Sequence, residues 1–451
     1  MPLEFGTDGI RGLANEELTP ELVLALGRAA ARVLGGPFLV GRDTRRSGPM
    51  LQAAFSAGVA SEGMGVVDLG VIPTPGVAFA SAGWRAPGAV VSASHNPFPD
   101  NGIKLFAPGG RKLTDDEEAT LEAEFARVAA GAGEAGSPGA RPTGAGVGTL
   151  DADPAAVEAY AAHLEASLEG RTLEELFVVL DCGHGAASAV APAVMRATGA
   201  RVQVLGDEPD GTNVNQGCGS TDLTALREAV VGYGADVGLA FDGDADRVLA
   251  VDGTGEAVDG DHLIALCALD LRSRGRLKGD TVVVTVMTNL GFRLAMEAAG
   301  IAVHETAVGD RYVLEALDTN GWSLGGEQSG HLVFRDLATT GDGLLTGLQL
   351  LDLLARRGRP LADLAPEAMT RLPQVLCNVR LAVRRDAASV AEALGPAAAA
   401  EQERLGPSGR VLVRPSGTEP LVRVMVEAPT ETEAEDTAAR LVAEVERALG
   451  P

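Results

Sequence analysis

Three times along its 451 residues the chain repeats one order of elements: an apolar run, a Gly or polar turn, a helical stretch, a Gly, and a second apolar run. The first copy is Phe38-Leu39-Val40-Gly41-Arg42-Asp43, a helix near Met50 to Ser61, then Gly65-Val66-Val67. The second is Val178-Val179-Leu180-Asp181-Cys182-Gly183-His184-Gly185, a helix to about Thr198, then Gly199-Ala200-Arg201-Val202. The third is Val282-Val283-Val284-Thr285, a helix from about Gly291 to Ala299, then Gly300-Ile301-Ala302-Val303. Short apolar runs alternating with helices specify βαβ units and mostly parallel sheets. One such unit is commonplace, but its recurrence predicts three related α/β domains.

The segment from Gly131 through Pro142 to Gly148 has the composition of a linker or surface loop. The tail departs from the repeat. A helix around Ser389 to Arg404 precedes Arg410-Val411-Leu412-Val413, a Pro/Ser/Gly/Thr turn and Leu421-Val422-Arg423-Val424-Met425-Val426. A last helix runs from about Glu431 to Leu449 behind Thr430 as N-cap. The expected division is 1–149, 150–252, 253–368 and 369–451. The expected fold class is α/β: three related domains with mixed, largely parallel sheets, plus a C-terminal α+β domain, around a central cleft.

A formal net charge of −25 argues against nucleic acid or a membrane surface as partner, since both are polyanions. It leaves room for a small anionic ligand held by basic residues concentrated at one site. No apolar run has the length of a membrane span, and Met1 to Asp8 lacks the basic start and apolar core of a signal peptide. Cys182, Cys218, Cys267 and Cys377 show neither zinc spacing nor disulfide density. A soluble, cytoplasmic protein is expected. Lysine is scarce, occurring only at Lys104, Lys112 and Lys278.

Four segments carry groups suited to chemistry. In Gly88-Ala89-Val90-Val91-Ser92-Ala93-Ser94-His95-Asn96-Pro97 an apolar strand stops at a polar turn that Pro97 forbids from continuing, which presents Ser94 at a strand end. An ordinary Ser/Asn turn reads the same way. In Asp242-Gly243-Asp244-Ala245-Asp246-Arg247, between two apolar runs, three carboxylates at alternate positions repel one another unless a cation sits among them. Their hard oxygens favour Mg²⁺ or Ca²⁺, and the loop lacks the glycine and terminal Glu of an EF-hand. A solvated acidic turn is the plainer alternative. Gly325-Gly326-Glu327-Gln328-Ser329-Gly330-His331 offers a carboxylate, an amide, a hydroxyl and an imidazole suited to a polyhydroxyl ligand, with His331 free to move a proton. Arg414-Pro415-Ser416-Gly417-Thr418-Glu419-Pro420 with Arg423 gathers two guanidinium groups, hydroxyls and a flexible backbone, as a phosphate monoester requires. No Walker or dinucleotide fingerprint accompanies it. At the N-terminus, Phe5-Gly6-Thr7-Asp8-Gly9-Ile10-Arg11-Gly12 frames one more arginine with glycines.

Taken in order, a strand-end serine, a three-Asp loop, a sugar-friendly loop and a phosphate clamp closely resemble the α-D-phosphohexomutase superfamily over the whole chain. Gly211-Thr212-Asn213-Val214-Asn215-Gln216-Gly217-Cys218-Gly219-Ser220-Thr221, the Gln328 of the sugar loop and Val308-Gly309-Asp310-Arg311-Tyr312-Val313 look like its phosphoglucosamine mutase branch.

The resemblance implies an isomerase-class phosphotransferase, interconverting glucosamine 6-phosphate and glucosamine 1-phosphate through a 1,6-bisphosphate and supplying amino-sugar nucleotide and cell-wall synthesis. It implies a covalent phosphate on Ser94 and one Mg²⁺ on Asp242, Asp244, Asp246 and that phosphate. Arg247 would hold the same phosphate and Arg11 counts among the catalytic residues; Lys104 would carry the proton or stabilise the phosphate, with His331 the other candidate proton carrier. Lys104 is read as lying among apolar residues that lower its pKa. Glu327 and Ser329 would grip ring hydroxyls, and Arg414, Ser416, Gly417, Thr418 and Arg423 the substrate's own phosphate. Autophosphorylation, a kinase or a sugar 1,6-bisphosphate activator are the candidate sources of the first phosphate, and a homodimer is the candidate assembly. The nearest alternative is a phosphomannomutase or phosphoglucomutase with the same machinery. A serine hydrolase lacks its Gly-X-Ser-X-Gly elbow, and a non-catalytic phosphosugar-binding protein has no use for Ser94 beside three aspartates.

Overall fold

The computed structural model describes residues 9–131, 141–416 and 420–450. They divide into two compact units. The first holds the described residues up to Val286 together with Ala302–Pro366; the second holds Met287–Ile301 and the described residues from Glu367 onward.

Three sheets build the first unit, and they share one topology. In the first, Phe38–Arg42 lies parallel to Val66–Val71 on one side and to Gly88–Val91 on the other; Gly88–Val91 then turns back into antiparallel Asp100–Ala107. In the second, Phe177–Asp181 lies parallel to Arg201–Leu205 and Val237–Phe241, and the latter turns back into Val248–Asp252. In the third, Thr281–Thr285 lies parallel to Ala302–Thr306 and Leu324–Gly326, and the latter turns back into Leu332–Phe334. The repeat legible as strand–helix–strand is thus longer than its sequence signature. Each copy also ends in a hairpin, and the Ser94, Asp242–Asp246 and Glu327–His331 loops sit at the same place in the three copies.

The first sheet carries extra edge strands. Ile10–Leu13 pairs antiparallel with Asp100–Ala107. Leu150–Ala152, placed by the sequence boundary in the next domain, pairs parallel with Val66–Val71. Apolar side chains from both faces of this sheet are buried. Phe38, Val40, Ala89 and Val91 pack under the helices Pro20–Leu34 and Gly48–Ser61, while Leu39, Val90 and Phe106 pack with Val77 of the helix Thr74–Trp84.

In the second unit an antiparallel sheet places Leu421–Glu427 between Gln374–Arg380 and Arg410–Pro415. The helices Ala387–Leu405 and Glu431–Leu449 contribute Leu394 and Leu441 to its core, and the latter helix is capped by Thr430, whose Oγ1 accepts from Glu433 N at 3.3 Å. The helix Leu290–Ala298, expected to cover the third sheet as its crossover, belongs to this unit instead. The reason is a buried carboxylate: Glu427 accepts from Asn289 Nδ2 and from Leu290 N, both at 3.1 Å, at the positive end of that helix. Arg410 Nε balances Glu427 at 2.9 Å.

The chain is therefore α/β, with three related domains and a C-terminal α+β domain. Among the described residues no helix is long and apolar enough to cross a membrane. Because Glu427 is wholly buried and holds Asn289, Leu290 and Arg410 at once, Glu427→Ala breaks a buried ion pair; urea unfolding is expected to show a loss of roughly 3–5 kcal/mol.

Candidate active site

The Ser94 loop joins Gly88–Val91 to Asp100–Ala107, and Ser94 itself takes a left-handed φ of +53°. Its side chain is buried, and its Oγ donates to Asp242 Oδ2 at 2.5 Å. His95 Nδ1 lies 3.4 Å from the same oxygen. Burial, then the charges of Arg247 and Arg11, push the His95 ring down to a pKa of about 4, so it is neutral at physiological pH. Arg11, on the strand Ile10–Leu13, donates to Asn96 Oδ1 at 3.3 Å.

The acidic loop is gripped at its carbonyls from three segments distant in sequence. Gly243 O accepts from Ala186 N at 2.8 Å, Asp244 O from Thr74 N at 2.9 Å, and Ala245 O from Gly343 N at 3.0 Å. Gly343 is required at its position, since a Cβ there would stand 2.4 Å from Arg247 O. Fixed in this way, Asp242, Asp244 and Asp246 are buried with one oxygen of each lying within 4.8 Å of the others. Among the described residues Asp244 Oδ1 and Asp246 Oδ1 accept no hydrogen bond although they are buried. Three hard oxygens in one place, two with unused lone pairs, suit a divalent oxygen-seeking cation.

The cations already present show how the charge is managed. Lys104 Nζ reaches Asp244 Oδ2 at 2.7 Å and Asp246 Oδ2 at 2.9 Å. The apolar setting expected for Lys104 is therefore corrected: its stem is buried, but its ammonium sits between two carboxylates. Thr74 Oγ1 adds a hydrogen bond to Asp244 Oδ2 at 2.6 Å. Asp242 is pushed well above the usual carboxylate range by burial and by Asp246 and Asp244, and Arg247 offsets this only in part. Burial acts in the same sense on Asp246, but Lys104, His331 and Arg247 outweigh it and hold that carboxyl well below the usual range.

His331 is likewise not free to move a proton. It is buried, with Nδ1 3.8 Å from Asp246 Oδ1 and Nε2 3.2 Å from Asp310 Oδ2, and Gly341 presses so closely on the ring that a Cβ would fall 2.3 Å from Nε2. Burial opposes its charge, but the two carboxylates prevail and raise its pKa to about 10. It is a fixed cation. Asp310 is shared with Lys112, which pairs with Asp310 Oδ2. In the sugar loop, Glu327 is half-buried and accepts from Gly309 N at 3.2 Å; burial raises its pKa, with His331 acting the other way. Ser329 Oγ is buried with no hydrogen-bond partner among the described residues.

In the second unit, Arg414 and Arg423 face each other across paired strands. Like charges directly opposite are unfavourable, and burial followed by Arg423 lowers the pKa of Arg414. Such a pair is a ready receptor for an anion. Ser416 is buried beside it, whereas Gly417 and Thr418 lie outside the described residues.

Sequence reasoning missed several partners: Thr74, Lys112, Asp310 and Asn215. Asn215 Nδ2 donates to Ser94 O at 2.8 Å, so the Gly211–Thr221 segment, read only as a branch marker, supports the serine loop. The isolation of Lys112 in a lysine-poor chain was one available signal. Asp310, like Asn215, lay in a segment read only as a branch marker, and Thr74 carries no signal beyond its polarity.

Comparison with known proteins places this geometry. The phosphoglucomutase/phosphomannomutase profiles match in chain order, α/β/α domain I over residues 2–131, domain II over 158–255, domain III over 259–372 and the C-terminal domain over 376–444. The phosphoglucosamine mutase of Frankia alni is 55% identical over 99% of this chain and 98% of its own length. That of Rhodococcus jostii is 55% identical over 94% and 95%. The chain belongs to the phosphoglucosamine mutase family. It is a phosphomutase, of the isomerase class. Its fold is similar to that of a Burkholderia thailandensis phosphoglucomutase/phosphomannomutase family protein, with a TM-score of 0.81 at 25% identity over 98% of this chain and 97% of the other.

A pH test follows from His331. Its pKa is about 10 in the folded protein against 6.5 ordinarily, so its contribution to stability is complete below pH 6.5 and is lost as pH rises through about 10. In metal-free protein, urea midpoints of wild type and His331→Gln are expected to converge over that window, the wild type losing the more.

Proposed function

We propose that this chain interconverts glucosamine 6-phosphate and glucosamine 1-phosphate, with Ser94 as the phosphoryl carrier. The observation that supports this most is the bond from Ser94 Oγ to Asp242 inside a buried three-carboxylate loop. A serine held there is poorly suited to attack as an alkoxide, because its oxygen faces a cluster of three carboxylates. It is well suited to carry a phosphoryl group whose charge a cation shares.

The division of the chain into segments 1–149, 150–252, 253–368 and 369–451 is kept as part of this reading, with one kind of group per segment, except that Leu150–Ala152 goes with the first sheet and Met287–Ile301 with the second unit. Asp242, Asp244, Asp246 and the phosphate on Ser94 would hold Mg²⁺, which when bound withdraws charge from the phosphoryl oxygens. Arg247 and Arg11 bind those oxygens. Glu327 and Ser329, with hydrogen-bonding capacity to spare, take ring hydroxyls. Arg414, Ser416 and Arg423, with Gly417 and Thr418, take the phosphate the sugar already carries.

In the first transfer the Ser94 O–P bond breaks and an O–P bond to the anomeric oxygen forms. The proton that the sugar hydroxyl gives up replaces, through the Lys104 amine, the one that the serine oxygen takes. The Lys104 ammonium is the donor on hand for that oxygen, while His331 holds Asp246 and Asp310 in place. The 1,6-bisphosphate then returns its 6-phosphoryl group to Ser94, leaving glucosamine 1-phosphate and the phosphorylated protein. Glucose and mannose 6-phosphates share every contact except the amino group, so they are expected as slower substrates. A sugar 1,6-bisphosphate can supply the first phosphate, and a homodimer in the cytoplasm is the setting we assume.

Ser94→Ala is expected to abolish turnover of glucosamine 6-phosphate with the circular-dichroism spectrum unchanged, and full activity in that variant would end this reading. Arg414→Ala is expected to raise KM by about tenfold or more, the loss expected for a charge-assisted contact. An unchanged KM would remove Arg414 from the clamp.

A further inference from the structure

The Ser94 loop rests on a guanidinium that no sequence motif singled out. Arg45 is only 1% exposed, yet it carries a full charge. Arginine has five N–H donors in a fixed planar fork, and each of the five has an acceptor here. Nε donates to Asp43 Oδ2 at 2.8 Å. Nη1 donates to Pro97 O at 2.5 Å and Asp100 O at 3.0 Å. Nη2 donates to Ser94 O at 2.9 Å and Asn96 O at 2.7 Å. Four of these acceptors are carbonyls of one loop, so the fork fixes the path of its backbone rather than any single side chain.

The other polar group of the Ser94 backbone leads to the same place. Ser94 N donates to Ser92 Oγ at 2.9 Å, and Ser92 Oγ donates to Asp43 Oδ2 at 2.6 Å. Asp43 also accepts from Arg45 N through Oδ1 at 2.9 Å. Both backbone polar groups of Ser94 are thereby tied into one closed, buried circuit of Asp43, Arg45 and Ser92. The circuit holds a residue with Cβ in the left-handed region, a conformation that L-residues other than Gly, Asn and Asp rarely adopt. That φ decides where Oγ points, and it points at Asp242.

We propose that Asp43, Arg45 and Ser92 are positioning residues for phosphoryl transfer, aiming the Ser94 oxygen at the acidic loop by fixing its peptide from beneath. The inference rests on Ser94 as the phosphoryl carrier. None of the three residues touches the reacting atoms. Lysine at position 45 would keep the charge but offer a single point with three donors, so it cannot bridge four carbonyls and a carboxylate. A tilt of the serine peptide shifts the in-line geometry of transfer, which is felt in the chemical step and not in sugar binding.

The test uses Arg45→Lys and Ser92→Ala in the full chain, each first phosphorylated with glucose 1,6-bisphosphate and then mixed with glucosamine 6-phosphate in a single turnover. The rate constant for loss of phosphate from Ser94 is independent of how much protein is folded, so a merely structural defect does not move it. Arg45→Lys is expected to slow that step by about 100-fold, the scale of a misplacement of roughly 1 Å. Ser92→Ala, which loses one link, should slow it by about tenfold, and KM should stay within about threefold of wild type in both. Should Arg45→Lys fail to fold, Ser92→Ala decides alone. A Ser92→Ala rate constant equal to wild type, or a large rise in KM with an unchanged transfer rate, overturns the proposal. Absence of transfer in the wild-type control would instead overturn Ser94 as carrier, which keeps the two failures apart.

Discussion

Four carboxylates, Asp242, Asp244, Asp246 and Asp310, are buried in the first unit within one network of charge, and its arrangement follows from the need to keep them there. Isolated buried anions are too costly to persist. Lys104, Lys112, His331 and Arg247 supply the compensating charge, and they come from three different sheets or their loops. The acidic loop can be wrapped by cations from all sides only because the three hairpins converge upon it. Polar compensation and domain assembly are therefore one problem with one solution.

The convergence has a topological origin. Each copy of the repeat ends in a parallel strand that turns back antiparallel, and each turn bears one of the loops that the proposed function uses: Ser94 in the first, Asp242–Asp246 in the second, Glu327–His331 in the third. Residues distant in sequence then meet through backbone bonds as well as charges, as in the contacts of Thr74, Ala186 and Gly343 with successive carbonyls of the acidic loop. A loop held at consecutive carbonyls cannot relax when its charge state changes. Rigidity of that kind lets a site stabilise developing charge without reorganising.

Much of this was legible in the sequence. The apolar runs and their punctuation marked the βαβ cores, because burial on both faces leaves no polar residue inside central strands such as Gly88–Val91 and Val237–Phe241. Ser94, the three aspartates and the opposed arginines were legible because their chemistry is conspicuous where they stand. The hairpin that completes each repeat was not, since short strands such as Leu324–Gly326 and Leu332–Phe334 leave little periodicity. The placement of Leu290–Ala298 in the second unit depended on Glu427, more than a hundred residues away. Arg45 was invisible for a plainer reason: an arginine in a loop ordinarily reads as solvated, and only the fold reveals that all its donors are used inside. His331 was read as free to move a proton because its two carboxylate partners, Asp246 and Asp310, arrive from other segments.

The central claim is that Ser94 carries the transferred phosphate, and the phosphate stoichiometry of that one residue tests it most directly. Protein phosphorylated with glucose 1,6-bisphosphate and freed of excess should show one phosphate on the peptide containing Ser94. Stoichiometric glucosamine 6-phosphate should then move that phosphate into the sugar bisphosphate within a single turnover and return one from the 6-position. Sustained mutase turnover with Ser94 never phosphorylated would contradict the account.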